Sequence, residues 1–369
     1  GKVDFIVRGD AEQPLLELIE LLCSGHPSLD KLENIPNLSF FKEGQIIETD
    51  LSYHISEKEF SSLDFVDLGW LTHADRYLGF QYVGRRELFY PDMPPKQKGH
   101  WLCIGRGCLF NCSFCGGGRQ SHLLITGRQN ILARAPERIA DDLEALKELG
   151  VHQAALSLDP HLFGEDFWKA LFAELSSRKV RIGLYIEVFQ LPHQSFIDAF
   201  AECADLNHSQ IALSLLSGDE GVRRLNGKSF TNAQVFATLK AMKRRRIPLA
   251  VYYSFNLPGQ NARTLRKTIS ITHHIGKLYP SSLLMVYNQP HTLDPCSPMS
   301  RDPQKFGLRI KLKTFQDYVD YCRLTAIEQP GVLGLAYKGF EWLGRTREEE
   351  SRMQAMWSSF AQSAPFLCF

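Results

Sequence analysis

Between residues 100 and 290 six short apolar runs alternate with longer stretches whose apolar residues recur at helical spacing, and few folds accept that rhythm. The runs are HWLCI (100–104), QAALSL (153–158), VRIGLYIEV (180–188), QIALSL (210–215), PLAVYYSF (248–255) and SLLMVY (282–287). Strands alternating with amphipathic helices are the pattern of repeated β/α units around a parallel sheet. The stretches between them carry helix punctuation. Pro136 suits a first helical turn, Ile139, Leu143, Leu146 and Leu149 follow at helical spacing, and Gly150 stands where such a helix stops. Thr231 can cap the next long helix, whose apolar stripe is Ala233, Phe236, Leu239 and Met242.

The loop after the first run reads GRGCLFNCSFCGGG and places Cys108, Cys112 and Cys115 within eight residues. Three thiolates so spaced can hold three irons of a [4Fe–4S] cube and leave the fourth iron without a protein ligand, because a full set would need four cysteines. An open iron is a place for chemistry. Gly116, Gly117 and Gly118 follow directly, and a backbone without Cβ atoms can pass close to a bound ligand. Two other readings of the cysteines stand beside this one. A structural zinc site wants four ligands, commonly as two close pairs, and no second pair follows here. Cys103 would add a Cys-x4-Cys step as a fourth ligand, but WLCIG reads as a buried strand in which Cys103 is a small core residue. Cys23, Cys203, Cys296, Cys322 and Cys368 are scattered and are expected to be free thiols of a reducing compartment.

Cys108, Cys112, Phe114 and Cys115 together match Cys-x3-Cys-x-aromatic-Cys, and the chain thereby resembles the radical SAM superfamily. The resemblance implies a partial six-unit (β/α) barrel of the TIM type. It also implies S-adenosylmethionine (SAM) chelating the open iron, and its reductive cleavage to methionine and a 5′-deoxyadenosyl radical. The cofactor does the hard chemistry and the protein supplies position and electrostatics. Phe114 would then pack beside the adenine, and Gly116 and Gly117 would let the backbone approach the cofactor.

Ligands of parallel β/α folds gather at the carboxyl ends of the strands, so further candidates are sought there. Asp159 follows the second strand, where many members of the superfamily carry Gly-Gly-Glu to hold the SAM amino group; it does that electrostatic work, points toward substrate, or is a turn carboxylate before Pro160. Glu187 ends the third strand inside an apolar run, where a carboxylate must face a cavity or a partner. IALSLLSGDEGVRRLNGKSFT resembles the family stretch Gly-Ile-Glu-Ser-Gly-x-x-x-x-Leu-x-x-x-Asn-Lys. Ser217, Gly218, Asn226 and Lys228 match in kind, whereas Ser214 replaces the usual glycine and Leu216 the usual glutamate. Ser217 becomes a candidate SAM contact, and Arg223 or Arg224 a fork for a carboxylate or simply part of a solvated helix face. Asn256-Leu257-Pro258-Gly259-Gln260 resembles a Gly-Leu-Pro-Gly-Glu turn in which Gly259 admits the adenine.

The flanks are less informative. GKVDFIVRGDAEQPLLELIELL opens the chain with a strand, a turn and an amphipathic helix, and resembles the last strand and helix of the Rossmann-like cobalamin-binding domain that precedes the barrel in one large radical SAM class. A whole domain of that kind needs roughly 100 residues or more, so the expectation is either a fragment of a longer parent, of which cobalamin is a possible cofactor, or a remnant that persists without cobalamin, with the fragment favoured. The expected organisation is a domain edge at 1–24, a hairpin (around Glu43-Gly44) and connector at 25–95, the core barrel at 96–290, and a helical, substrate-side extension at 291–369 with helices near 313–327 and 346–360. In that extension His291, Asp294, Tyr321 and Trp342 are only generic candidates. With 42 basic and 41 acidic side chains in 369 residues, the net charge of +1 offers no field for nucleic acid. The basic run from Lys243 to Arg246 suits a helix C-terminus. No apolar stretch reaches membrane-span length and no signal peptide opens the chain, so the expected setting is the cytoplasm. The reading that follows is a radical SAM enzyme acting on a small molecule or peptide with flavodoxin or ferredoxin as electron donor. Methyl transfer or rearrangement at an unreactive carbon is the expected outcome in the cobalamin-associated class. The alternatives are a cobalamin-independent modification of a peptide or cofactor and, more remotely, an iron–sulfur protein without radical chemistry.

Overall fold

The six apolar runs become six parallel strands. In the computed structural model, which describes residues 3–25, 29–83, 97–255, 257–290, 293–327, 339–364 and 366–367, they are β1 (Gly99–Leu102), β2 (Gln153–Leu156), β3 (Gly183–Val188), β4 (Gln210–Leu216), β5 (Leu249–Phe255) and β6 (Leu284–Pro290). They pair in chain order, every pair parallel, with β1 and β6 at the edges. The helices that cross between them include α1 (Arg119–Thr126), α2 (Pro136–Glu148), α3 (Glu165–Ser177), α4 (Gln194–Cys203), α5 (Glu220–Leu225), α6 (Asn232–Arg244) and α7 (Ala262–Leu278). The expected punctuation is present: Pro136 occupies the first turn of α2, Gly150 turns left-handed just after it with φ 75°, and Thr231 closes a capping box with Gln234 on α6.

Alternation along each strand sorts its side chains to two faces. Leu102, Leu156, Ile186, Leu213, Val251 and Val286 point outward into one large apolar core beneath the helices. The opposite face carries Trp101, Ala155, Tyr185, Ala212, Ala250, Tyr252 and Tyr287. Rings on this face reach over the alanine of an intervening strand. Trp101 meets Tyr185 edge-on at 5.8 Å across Ala155, and Tyr185 hydrogen-bonds Tyr252 across Ala212. Strands that do not pair can share contacts in this way only if the sheet curls with this face inside. The product is a partial (β/α)6 barrel.

Before the barrel, strand Phe5–Val7 pairs antiparallel with a hairpin of Leu38–Lys42 and Gln45–Glu48. The hairpin turns at Glu43 (φ 49°) and Gly44 (φ 86°), two consecutive positive φ angles of the kind tight hairpins use. The amphipathic helix Glu12–Cys23 buries Leu18 against Leu32, Leu38 and Phe40. After the barrel come helices Phe315–Ile327 and Arg347–Ala361, at the expected places. The latter lays Met353 and Trp357 on the outer core beside Tyr253 and Phe255. An antiparallel pair, Leu308–Ile310 before the first of these helices with Phe340–Trp342 between the two, was not anticipated from the pattern. Among the described residues no helix is long and apolar enough to cross a membrane.

Candidate functional site

The cysteine loop leaves β1 through a two-residue ribbon, Gly105–Arg106 paired with Leu132–Ala133, and crosses the carboxyl-terminal mouth of the barrel. Cys108, Cys112 and Cys115 are all free thiols and half-buried. The backbone wraps them: the Phe110 N–H points at Cys108 Sγ (3.4 Å), the Gly117 N–H at Cys115 Sγ (3.3 Å), and the Cys115 N–H donates to the Cys112 carbonyl (3.1 Å). Burial pushes all three thiols above the ordinary cysteine range, against those N–H groups and the charge of Lys228. A metal centre takes cysteine as the thiolate, and three such side chains on one loop are a donor set suited to it. Among the described residues no three His, Cys, Asp or Glu side chains converge as ligands of a single metal ion would. A four-iron cube is larger than one ion, and thiols spread around a turn suit it.

Two segments hold the loop from outside. Asp294 Oδ2 accepts the Gly116 N–H (3.1 Å), the Met299 N–H donates to the Ser113 carbonyl (2.9 Å), and the Ser121 hydroxyl donates to the Cys296 carbonyl (2.7 Å). A Cβ at Gly116 would stand 2.5 Å from the Pro295 carbonyl oxygen, so glycine is required for this contact. On the other side the turn after α5 lies on Cys112. Gly227, at φ 91°, would put a Cβ 3.2 Å from Cys112 Sγ, and Asn226 ties the turn to Ser113 and, through Nδ2, to the Pro258 carbonyl (3.1 Å).

That turn delivers Lys228, whose side chain is 3% exposed. Its Nζ donates to the Phe189 carbonyl (2.6 Å) and lies 5.6 Å from the Phe189 ring. Burial pulls this amine well below the ordinary lysine range, opposed by the nearby Cys112, Glu187 and Asp159. Sequence reasoning noted Lys228 only as a match in kind, because nothing local shows that the chain folds back over the thiols. Cysteines, lysine and two carboxylates thus meet at the ends of β1, β2, β3 and β4.

The other sequence-derived candidates divide in two. Asp159 is 1% exposed; its Oδ1 accepts from His161 Nδ1 (2.7 Å) and the His161 N–H (3.0 Å), and its Oδ2 from the Phe189 N–H (2.8 Å). It fastens the end of β2 to the end of β3. Glu187 is half-buried on the inner face and accepts from Ser214 Oγ at 2.5 Å. Phe114 packs against Leu216, Val222 and Leu257, joining the cysteine loop to the ends of β4 and β5. Gly259, at φ 79°, faces Leu225 and Val222 at that same wall. Gly117 is exposed beside Cys115. Ser217 and Arg223 lie one layer back. Ser217 is fully buried, its Oγ 3.2 Å from Thr268 Oγ1 and accepting the Asp219 N–H (3.1 Å). Arg223 neither forks onto an open site nor solvates a helix face: it is 0% exposed and donates to the carbonyls of Ser217 (2.8 Å) and Phe230 (3.3 Å) and to Asn232 Oδ1 (2.7 Å). Arg224 is exposed beside Glu220. Cys103 packs with Ile55, Phe60 and Leu132, away from the thiol trio. Asn256, His291 and Cys368 lie outside the described residues.

Residues 102–271 match the family model of the Radical SAM superfamily. A curated relative, the uncharacterized protein MJ1620 of Methanocaldococcus jannaschii, is 24% identical over 195 residues, 48% of this chain and 38% of the relative. Among solved structures, the radical SAM methyltransferase TsrM of Kitasatospora setae, bound to cobalamin and a [4Fe–4S] cluster, superposes with a TM-score of 0.59 at 15% identity, over 85% of this chain and 57% of its own. The cobalamin-dependent SAM radical enzyme OxsB, with aqua-cobalamin and SAM bound, gives 0.56 at 14% identity, over 82% and 44%. The chain thus spans less than two thirds of the length of each. At these identities the two structures share the fold.

Proposed function

We propose, on the match of residues 102–271 to the Radical SAM superfamily model, that this chain cleaves SAM reductively at a [4Fe–4S] cluster held by Cys108, Cys112 and Cys115. The observation that carries the reading is the meeting of three free thiols on one loop with a buried lysine beneath them. When bound, the cluster supplies the electron that divides SAM into methionine and a 5′-deoxyadenosyl radical.

The chain's own residues bind and orient. An ammonium has three N–H donors, and Lys228 spends one on the Phe189 carbonyl; the others, in a site that excludes water, are suited to the SAM carboxylate, where a charge-assisted bond is strong. Glu187, held by Ser214, suits the SAM amino group. Asp159 adds charge beside Lys228 while fixing the turn that presents it. Phe114 and Gly259 form the wall for the adenine, and the exposed Gly117 keeps the loop thin beside Cys115, where the cofactor enters. Ser217 and Arg223 act from behind, by fixing the end of β4.

We further propose a reaction of the cobalamin-associated class, methyl transfer or rearrangement at an unreactive carbon of a small molecule or peptide, with a flavodoxin or ferredoxin as electron donor. Support comes from the fold shared with TsrM over 85% of this chain, which reaches beyond the barrel. Anaerobic reconstitution with iron and sulfide, reduction by dithionite and quantification of 5′-deoxyadenosine and methionine test the cleavage. Equimolar formation of both, lost in Cys112→Ala, is expected; a reconstituted, reduced protein that leaves SAM intact sinks the reading. Equilibrium dialysis against hydroxocobalamin tests the cobalamin assignment separately.

A further inference from the structure

One carboxylate outside the barrel holds both ends of the cysteine-bearing segment. Asp10, in the turn after the opening strand, is 2% exposed. Its Oδ1 accepts Arg106 Nη1 (3.0 Å), and its Oδ2 accepts Arg128 Nη2 and the Ile55 N–H (3.0 Å). Arg106 stands just before Cys108 and Arg128 just after the end of α1, so all three thiols lie between the two arginines. The backbone closes this segment with a ribbon of only two residues a side, Gly105–Arg106 with Leu132–Ala133. An isolated pairing of that kind is marginal in water, whereas hydrogen bonds between charged groups are roughly twice as strong as neutral ones. The side-chain clamp is therefore the firmer tie.

The clamp has an anchor of its own. Asn37, fully buried, donates through Nδ2 to the carbonyls of Asp10 (3.1 Å) and Tyr53 (2.9 Å). Gly9, at φ 72°, lies so near the end of α1 that a Cβ there would stand 3.0 Å from Thr126 Cα, and His54 Nε2 meets the Thr126 carbonyl at 3.1 Å. The two arginines depend on Asp10 unequally. Arg106 has a second carboxylate, Glu12 Oε2 at 3.2 Å. Among the described residues the Arg128 guanidinium has only Asp10 and the Ile55 carbonyl (2.8 Å), and its Nε has no partner. Without Asp10 this side chain, 11% exposed, keeps a single acceptor. A buried charge left uncompensated is costly, so Arg128 would leave for solvent and draw the end of α1 with it.

We propose that Asp10 is a positioning residue of the cluster site: by bridging Arg106 and Arg128 it fixes the stem of the cysteine loop, and with it the place of the three thiols over the barrel mouth. The inference rests on the cluster assignment proposed above and adds to it that a unit outside the barrel sets how well SAM is held. On that assignment SAM must reach an iron carried by the loop and, at once, Lys228 and Glu187 carried by the barrel. A loop free to shift on the barrel loses that simultaneous fit.

The test begins on the full chain without iron, reduced and anaerobic. N-ethylmaleimide is applied in brief pulses, and each cysteine is followed by peptide mass spectrometry. In Asp10→Asn, Cys108, Cys112 and Cys115 should react about tenfold faster than in the parent, or more, while Cys203, 6% exposed in the outer core, keeps its rate. Leu171→Ala, a cut in that core, should speed the trio no more than it speeds Cys203. Arg128→Met opens the other end of the clamp; it should show the Asp10→Asn pattern and carries the test where Asp10→Asn does not fold. On reconstituted chains of matched iron content, the SAM concentration that half-changes the spectrum should rise about tenfold in both clamp variants. It should stay at the parent value in Leu171→Ala, which separates positioning from lost stability. Trio labelling that rises only in step with Cys203, or an unchanged SAM response in both clamp variants, overturns the proposal. A parent spectrum indifferent to SAM sinks the cluster assignment instead, and the labelling, which needs no cluster, then decides the clamp.

Discussion

The two faces of the same six strands are built on different terms. Ile186, Leu213 and Val251 on the outer face are at most 1% exposed and belong to one large apolar core. One residue further along each strand, Glu187, Ser214 and Tyr252 face inward, only half-buried. The outer face holds the fold together by excluding water from aliphatic surface. The inner face spends little on stability and keeps small residues, Ala155, Ala212 and Ala250, where bulk would close the barrel. Stability and chemistry thus divide at a spacing of one residue.

Leu213→Ala breaks the comparison hardest: removing a fully buried leucine should cost about 2–5 kcal/mol, read as a lower guanidinium midpoint with an unchanged slope. A loss below about 1 kcal/mol there would mean that the outer face carries less of the fold than its burial implies.

A third kind of burial, neither apolar nor open, joins the N-terminal segment to the cysteine loop. Asp10, 2% exposed, receives Arg106 Nη1 (3.0 Å), Arg128 Nη2 and the Ile55 N–H (3.0 Å). Burial alone would raise this carboxyl, but the hydrogen bond and charge of Arg128, with Ile55 and Arg106, outweigh it and hold the folded value below the ordinary one. Its contribution is therefore present above the unfolded value of about 3.9 and is lost as pH falls through the lower folded value. Asp10→Asn should cost about 1.5–3 kcal/mol at neutral pH, and the gap from the parent should close in acid. A gap that persists unchanged at about pH 2 would place the effect in packing instead.

Glu187→Gln, on the inner face, should weaken SAM binding about tenfold while moving the unfolding midpoint little. Equal affinity in calorimetry would transfer the amino group to another residue. Smallest of all is Ser214→Ala, expected to stay within about 1 kcal/mol of the parent in stability, in contrast to its neighbour Leu213.

The outer face is what the sequence displayed, because aliphatic runs at Ile186, Leu213 and Val251 mark strands whichever way the sheet curls. The cysteine trio was legible for a different reason, its ligands being local in the chain. Ser217 and Arg223 were harder. They follow a strand end, and that position alone suggests a cofactor contact. The register slips between Tyr252 and Tyr253 opposite Ser214 and Leu216, and Leu216 adopts φ 61°. The chain then turns Ser217 toward Thr268 instead of the mouth. No residue pattern announces such a bulge. Lys228 was legible only as a match in kind to a family stretch, because its place beside Cys112 depends on a contact between segments more than a hundred positions apart.

Iron and sulfide analysis of the anaerobically reconstituted chain, with its spectrum recorded before and after SAM, tests the assignment of the cysteine loop most directly. The expected result is about four irons per chain and a spectrum that SAM changes, retained in Cys103→Ala and lost when Cys108, Cys112 and Cys115 are replaced together by Ala. A Cys103 variant that loses the cluster while a single variant of the trio keeps it would contradict the account.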